Sequence, residues 1–352
     1  MTSVRDFARG SLLAAAALLS ACSLEGSDEY RHREYDWTQL AQALDSAVGE
    51  SETQLRGYSF VLNVDGRREF SRAGGDMTLD TAIPIASAAK APAAAALLTL
   101  EREGRVDLDV PVSQYIGDAV TWPPAKAAIT LRMLLNHTSG LPTTSPCLDE
   151  TNMLTLQQCV AEIAQAPLDF LPGTQFGYSA AGYQVAGLVA EQVTGQSWNT
   201  LFRERVAAPL GMASFSYGEM SNPRVAGGAV SNAADYIRFS QAILGGGAPL
   251  LSKAQGQALR QSQVSGLPVY FTPALPDARL EGYSLGWWIS APANHPGSNG
   301  PETSDPGLLG STPWIDYGKN YTAVLLITGT PEKGLSMWTA AREKVLAELN
   351  RE

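Results

Sequence analysis

Apolar positions along the chain follow two periods, and the places where the period changes predict its elements. Trp37, Leu40, Ala41, Leu44 and Val48 recur at helical spacing and predict an amphipathic N-terminal helix. Gly57–Val64 reads as a strand, which Asp65-Gly66 turns into a second strand around Arg68-Glu69-Phe70. Ala88–Glu103, rich in Ala and Leu and closed by Gly104, predicts a helix. Pro92 lies inside it and withdraws the hydrogen bond to the Ala88 carbonyl, so a distorted first turn is expected. From Asp107 to about Gly218 helical and loop patterns alternate, broken at Pro123-Pro124, Gly140-Leu141-Pro142 and Pro172-Gly173. Strand patterns return at Tyr283–Ile289, Thr312–Ile315 and Tyr321–Ile327. Leu335–Leu349 then closes the chain as an amphipathic helix.

Strands at both ends with helices between them imply an α/β (α+β) fold. One antiparallel sheet is assembled from the two chain ends and flanked by helices, with an inserted helical subdomain over roughly residues 105–220. A cleft between the two parts is the natural place for a site. The helix that begins near Ser87 lies where the chain leaves the sheet for the insert.

The chain has 352 residues, 45% of them hydrophobic, enough for one large domain or two intimately joined subdomains. Only 17% are charged and the formal net charge is −10, which argues against a nucleic-acid partner, since phosphate binding needs clustered Lys and Arg. At the N-terminus, Arg5 and Arg9 precede the short apolar run Ser11–Leu19, which reads as an export signal. Leu19-Ser20-Ala21-Cys22 resembles the lipobox of bacterial lipoproteins, in which the cysteine is lipidated. The expected organisation is a signal segment (1–22), a polar tether (23–35) and one domain (36–352). The protein is expected in the bacterial cell envelope, facing the periplasm or exterior and held at the membrane by a lipid on Cys22. Cys147 and Cys159 are either a disulfide, worth roughly 3 kcal/mol in the loop-entropy picture, or two buried thiols. His32, His137 and His295 are scattered, with no metal-like spacing to one another or to the cysteines, so no metal and no cofactor is expected.

Ser87-Ala88-Ala89-Lys90 is the candidate chemistry. Residues three apart on a helix are neighbours, and a serine becomes a useful nucleophile when an adjacent neutral lysine takes its proton. The bare S-x-x-K pattern arises by chance in roughly every second chain of this composition. Local sequence alone equally allows an alanine-rich core helix with a capping serine and a solvated lysine.

Ile85–Lys90 and Leu100–Val112, taken with segments further along the chain, resemble the serine hydrolases related to class C β-lactamases, penicillin-binding proteins and family VIII esterases. Ile129–Pro142 is similar to the "LLxHTSGLP" stretch of that family. Pro172–Ser179, followed by Glu191–Gly195 and Pro209–Met212, is similar to the region of its second catalytic motif, and Gly227–Tyr236 to a later signature. The segments follow in the family's order over most of residues 55–330. The resemblance implies a β-lactamase/transpeptidase-like fold and a two-step acyl transfer. Ser87 would be the nucleophile and Lys90 its base, with Tyr178, at the tyrosine of the Y-x-N motif, as a proton relay. The backbone N–H groups of Ser87 and Leu308 would form the oxyanion hole.

Two departures narrow the expectation. Ala180 stands where the motif has asparagine. The third motif, usually K-T-G or H-x-G on a strand, falls on Asp305-Pro306-Gly307, with His295-Pro296-Gly297 as the alternative placement. An aspartate cannot attract a substrate carboxylate, and Pro306 lacks a hydroxyl. The sequence thus points to an exported serine hydrolase of a small-molecule ester, amide or peptide, with neutral acyl groups favoured. A D-Ala-D-Ala carboxypeptidase or β-lactamase is the alternative within the same chemistry, and an inactive binding lipoprotein the alternative outside it. His137, in an otherwise apolar stretch, reads as a buried structural histidine rather than a base.

Overall fold

Both ends of the chain enter one sheet, because each supplies strands apolar on two faces. The structure is a computed structural model; it describes residues 33–49, 55–148, 153–273, 281–290 and 297–351. The chain divides into Met1–Glu34 and a compact unit, Tyr35–Glu352, which carries every element below. Helix α1 (Thr38–Ser46) precedes β1 (Gly57–Val64) and β2 (Arg67–Gly75), and β3 (Ile83–Pro84) leads through a 3₁₀ turn, Ala86–Ala89, into α2 (Lys90–Arg102). There follow α3 (Ser113–Ile116), α4 (Leu131–Leu135), α5 (Leu156–Gln165), β4 (Phe176–Gly177), α6 (Ala181–Thr194), α7 (Trp198–Phe202) and α8 (Ala208–Leu210). Then come β5 (Val230–Ser231), α9 (Ala233–Leu244), α10 (Lys253–Ala258) and β6 (Val269–Phe271). The last elements are β7 (Gly282–Tyr283), β8 (Trp288–Ser290), β9 (Glu302–Ser304), β10 (Thr312–Asp316), β11 (Tyr321–Ile327) and α11 (Pro331–Leu349).

Seven strands form the main sheet in the order β2-β1-β11-β10-β9-β8-β7, every neighbouring pair antiparallel. Strands β1 and β11 are buried on both faces, which explains their unbroken apolar sequences. Phe60, Leu62, Leu325 and Ile327 face α1 and α11, while Val61, Val324 and Leu326 face the larger core beneath α2 and α9. The edge strand β2, by contrast, is largely exposed and carries Arg67, Arg68 and Arg72, a charged edge that discourages pairing with another chain.

Helix α2 is buried from Lys90 through Leu100, and its alanines let neighbouring elements approach closely. The effect of Pro92 is visible: the Ala88 carbonyl it frees accepts the Tyr236 hydroxyl at 2.7 Å. Cys147 and Cys159 are joined, tying the turn before α5 to that helix.

Four sequence expectations are corrected. The helix begins at Lys90, after a 3₁₀ turn, rather than at Ala88. The helical region continues past residue 220 through α9 and α10, and it contains the short strands β4 and β5. The single strand expected at Tyr283–Ile289 is two strands, β7 and β8, joined by a turn at Ser284–Trp287. Asp305-Pro306-Gly307 is not itself a strand; it continues from β9, whose sequence Glu-Thr-Ser carries no apolar signal although all three residues are buried.

Glu302 of β9 is buried with Arg342 of α11 at 2.6 Å, fastening the strand that leads into residues 305–308 to the terminal helix. Leaving one partner of such a pair unopposed in the core costs about 3–5 kcal/mol. Arg342→Met is therefore expected to lower unfolding free energy by about 3 kcal/mol in urea titrations. A change below about 1 kcal/mol would show that the pair is not needed to hold β9.

Candidate active site

Ser87 sits in the 3₁₀ turn that opens α2, and the residue before it is bent into an unusual conformation. Ala86 has φ 48°, in the left-handed region that costs a non-glycine residue about 1 kcal/mol. The turn is clamped from two sides. Ile85 N–H donates to Ala229 O at 3.1 Å, and Gly307 lies so close that a Cβ there would stand 2.3 Å from Ile85 O. Only glycine permits that approach, which brings the 305–308 segment alongside Ser87.

Lys90, one helical step on, is 2% exposed, and its Nζ donates to Ser87 Oγ at 3.0 Å and to Ala226 O at 3.0 Å. Burial pushes its pKa down to about 8, with Asp305 pulling in the opposite direction. About a tenth of it is therefore free base at pH 7, against well under a hundredth for an ordinary lysine, and only that form can abstract a proton from a serine. Ala226 was not foreseen. Its main-chain oxygen is the second acceptor for Lys90, and Ala180, at the asparagine position of the motif, lines the cleft. A backbone carbonyl leaves no signature in sequence.

Tyr178 is buried, lines the same cleft as Ser87, and lies with its ring centroid 4.6 Å from Lys90 Nζ. Its ring stacks on Trp288, centroids 5.6 Å apart at 15°, and touches His137 at 4.3 Å. Burial holds its pKa well above the usual phenol value, so it is a neutral donor and acceptor rather than a phenolate base. His137 is also buried; Nδ1 accepts the Ser179 N–H at 3.2 Å, and burial together with the Lys90 charge holds it neutral. It contacts the rings of Tyr178, Tyr183 and Tyr283, which is packing support for Tyr178.

Asp305 does not face the cleft. Its side chain is fully buried behind α2, where Oδ2 accepts the Ala91 N–H at 2.9 Å and lies 3.4 Å from the Tyr236 hydroxyl. The main-chain N–H groups of a helix's first turn lack partners within the helix, and Asp305 satisfies one of them. Of the third motif, Pro306 and Gly307 line the cleft, while Leu308, 67% exposed, stands at its rim. His295 and Cys22 lie outside the described residues.

The cleft has a volume of about 300 Å³. Its walls are largely apolar: Phe271, Trp288, Leu308, Leu335 and Trp338, with Ser304, Thr143 and Thr312 adding hydroxyls. Lys90 is the sole cationic side chain among the described lining residues, and no group of acidic, histidine or cysteine residues that could hold a metal occurs among the described residues. Leu335 and Trp338 fall in the terminal amphipathic helix expected from sequence, which gave them no role in a site; helix packing and cleft lining leave the same apolar pattern.

A seven-stranded sheet with a serine, a buried lysine and a tyrosine meeting beside it is matched by the Beta-lactamase family model over residues 37–346. The chain belongs to the beta-lactamase family. Penicillin-binding protein 4 of Amycolatopsis lactamdurans is 28% identical over 271 residues, 66% of this chain and 70% of that protein. Esterase EstB of Burkholderia gladioli is 26% identical over 89% of this chain and 96% of that protein. The crystal structure of D-amino acid amidase from Ochrobactrum anthropi matches with a TM-score of 0.71 at 22% identity, over 87% of this chain and 97% of that one, a likeness of fold. The chain is thus a beta-lactamase-fold hydrolase, and its relatives include an esterase and a penicillin-binding protein.

Proposed function

We propose that this beta-lactamase family member is a serine acyl hydrolase acting on small neutral esters or amides. The observation that carries the reading is the 3.0 Å contact between Lys90 Nζ and Ser87 Oγ in a site where burial leaves the amine near pKa 8. In the first step free-base Lys90 accepts the Ser87 proton as Oγ attacks the carbonyl carbon. The backbone N–H groups of Ser87 and Leu308 stabilise the oxyanion. As the C–O or C–N bond breaks, the proton passes from Lys90, through the neutral Tyr178 hydroxyl, to the leaving group. The acyl-Ser87 ester remains. Water then attacks it, giving its proton back along the same path, and releases the acid and free Ser87.

Neutral substrates are favoured by charge. Asp305 occupies the position where relatives by resemblance carry a cation, and it is turned away from a largely apolar cleft. A substrate carboxylate would meet no cation there other than Lys90 among the described lining residues. The esterase relative supports ester substrates, and the amidase fold neighbour keeps amides in range.

Hydrolysis of a short-chain nitrophenyl ester tests the reading. Ser87→Ala is expected to lower kcat by about 10³-fold or more. Lys90 abstracts a proton only as the free base, so the wild-type rate should rise with pH and level off above about pH 8. Activity that survives Ser87→Ala would overturn the assignment of the nucleophile.

We also propose that residues 1–22 direct export, that Cys22 carries the lipid anchor and that residues 23–35 tether the domain to it, on the strength of the apolar run and lipobox-like residues that precede the domain. Cys22→Ala should move the protein from the membrane fraction to the soluble one; unchanged fractionation would contradict the anchor.

A further inference from the structure

Ala226 O can steer Lys90 only if its own stretch of main chain is held, and the group that holds it is a glutamine. Gln184, on α6, is fully buried and is not among the described residues that line the cleft. Its Oε1 accepts the Val225 N–H at 2.6 Å, and its Nε2 donates to Asn222 Oδ1 at 2.6 Å. Asn222 Nδ2 in turn donates to Cys147 O at 3.0 Å, beside the disulfide. A main-chain N–H at one end of this relay and a main-chain carbonyl at the other fix which way both amides face. The segment that Gln184 holds is under strain. Arg224, just before Val225, has φ 49°, in the left-handed region, and the N–H groups of Gly227 and Gly228 both turn back onto its carbonyl. The Tyr217 hydroxyl donates to Val225 O at 3.1 Å, and Val225 packs so closely on α6 that a Cβ at Gly187 would stand 2.5 Å from its Cγ2. The carbonyl delivered at the end of this run is Ala226 O, 3.0 Å from Lys90 Nζ. A free-base amine has two hydrogens and one lone pair. With one hydrogen on Ala226 O, the lone pair can turn onto the Ser87 hydroxyl, whose Oγ is 3.0 Å away.

We propose that Gln184 is a positioning residue for acylation: by holding the Val225 N–H it fixes the Ala226 carbonyl that aims the Lys90 amine at Ser87. The proposal rests on the reading of Ser87 and Lys90 as the acylation pair. Gln184 touches no reacting atom and forms or breaks no covalent bond. It acts through the main chain of residues 225 and 226, and a small displacement of a proton acceptor's partner is enough to lose rate.

The test is kcat/KM for a short-chain nitrophenyl ester, expressed per folded molecule, in wild type, Gln184→Met and Gln184→Glu. Methionine is of similar size and offers the Val225 N–H no oxygen. In that variant kcat/KM should fall about tenfold, and phosphonylation of Ser87 by a fluorophosphonate should slow by a similar factor. Glutamate restores an oxygen for the Val225 N–H and should bring both rates back to within about threefold of wild type. A residue that only stabilises the fold would lower the unfolding midpoint and leave both rates per folded molecule in place. A fall of less than about threefold in Gln184→Met, or a Gln184→Glu variant no faster than Gln184→Met, overturns the proposal. If Gln184→Met does not fold, Asn222→Ala decides alone, because it withdraws the acceptor that orients the Gln184 amide. A fall of about threefold or more is then expected, and a smaller one overturns the proposal. If the wild type shows no Ser87-dependent turnover, the acylation reading itself falls and takes this one with it.

Discussion

A primary amine buried at the first turn of a buried helix is the constraint around which the rest of this molecule is arranged. Lys90 has almost no contact with solvent, so each polar group that meets it must come from the protein. Ser87 Oγ and Ala226 O accept its hydrogens, and aromatic faces of Tyr178 and Tyr183 lie against it, while Asp305 caps the next backbone N–H of the same helix turn. Pro92 loosens the helix start, and the tyrosine that takes up the freed Ala88 carbonyl also touches the aspartate. Serine, lysine, tyrosine and aspartate are therefore coupled through one turn of helix.

The sheet provides the rigidity this coupling requires. Strand β9 is fastened to α11 by the buried Glu302–Arg342 pair and delivers Gly307 against the Ser87 turn, where nothing larger fits. The same helix supplies Leu335 and Trp338 to the cleft wall, so the element that secures the third motif also shapes the space for an acyl group. A largely apolar cleft with hydroxyls near the serine suits recognition by shape and burial more than by charge.

Much of this was legible in sequence, and the exceptions share a cause. The chain-end strands, α2 and the association of Ser87, Lys90 and Tyr178 came from strong local periodicity and ordered motifs, and the geometry brings those three side chains together. Strand β9 escaped because three polar residues carry no strand signal, their burial being sustained by Arg342 from distant sequence. The direction of the Asp305 side chain escaped because a motif position does not say which side of the chain a side chain takes. Ala226 escaped because its contribution is a carbonyl, common to every residue. For Cys147 and Cys159, spacing allowed a bond or two thiols; only their proximity in the fold distinguishes the readings.

The central claim is that Ser87, activated by Lys90, is the group that becomes acylated. Its most direct test is reaction with a fluorophosphonate, whose adduct resists hydrolysis, followed by peptide mapping with mass spectrometry. The account predicts a single phosphonyl group on the peptide bearing Ser87, formed at a rate that increases toward about pH 8 as Lys90 is deprotonated. No adduct, or one carried by another residue, would contradict it.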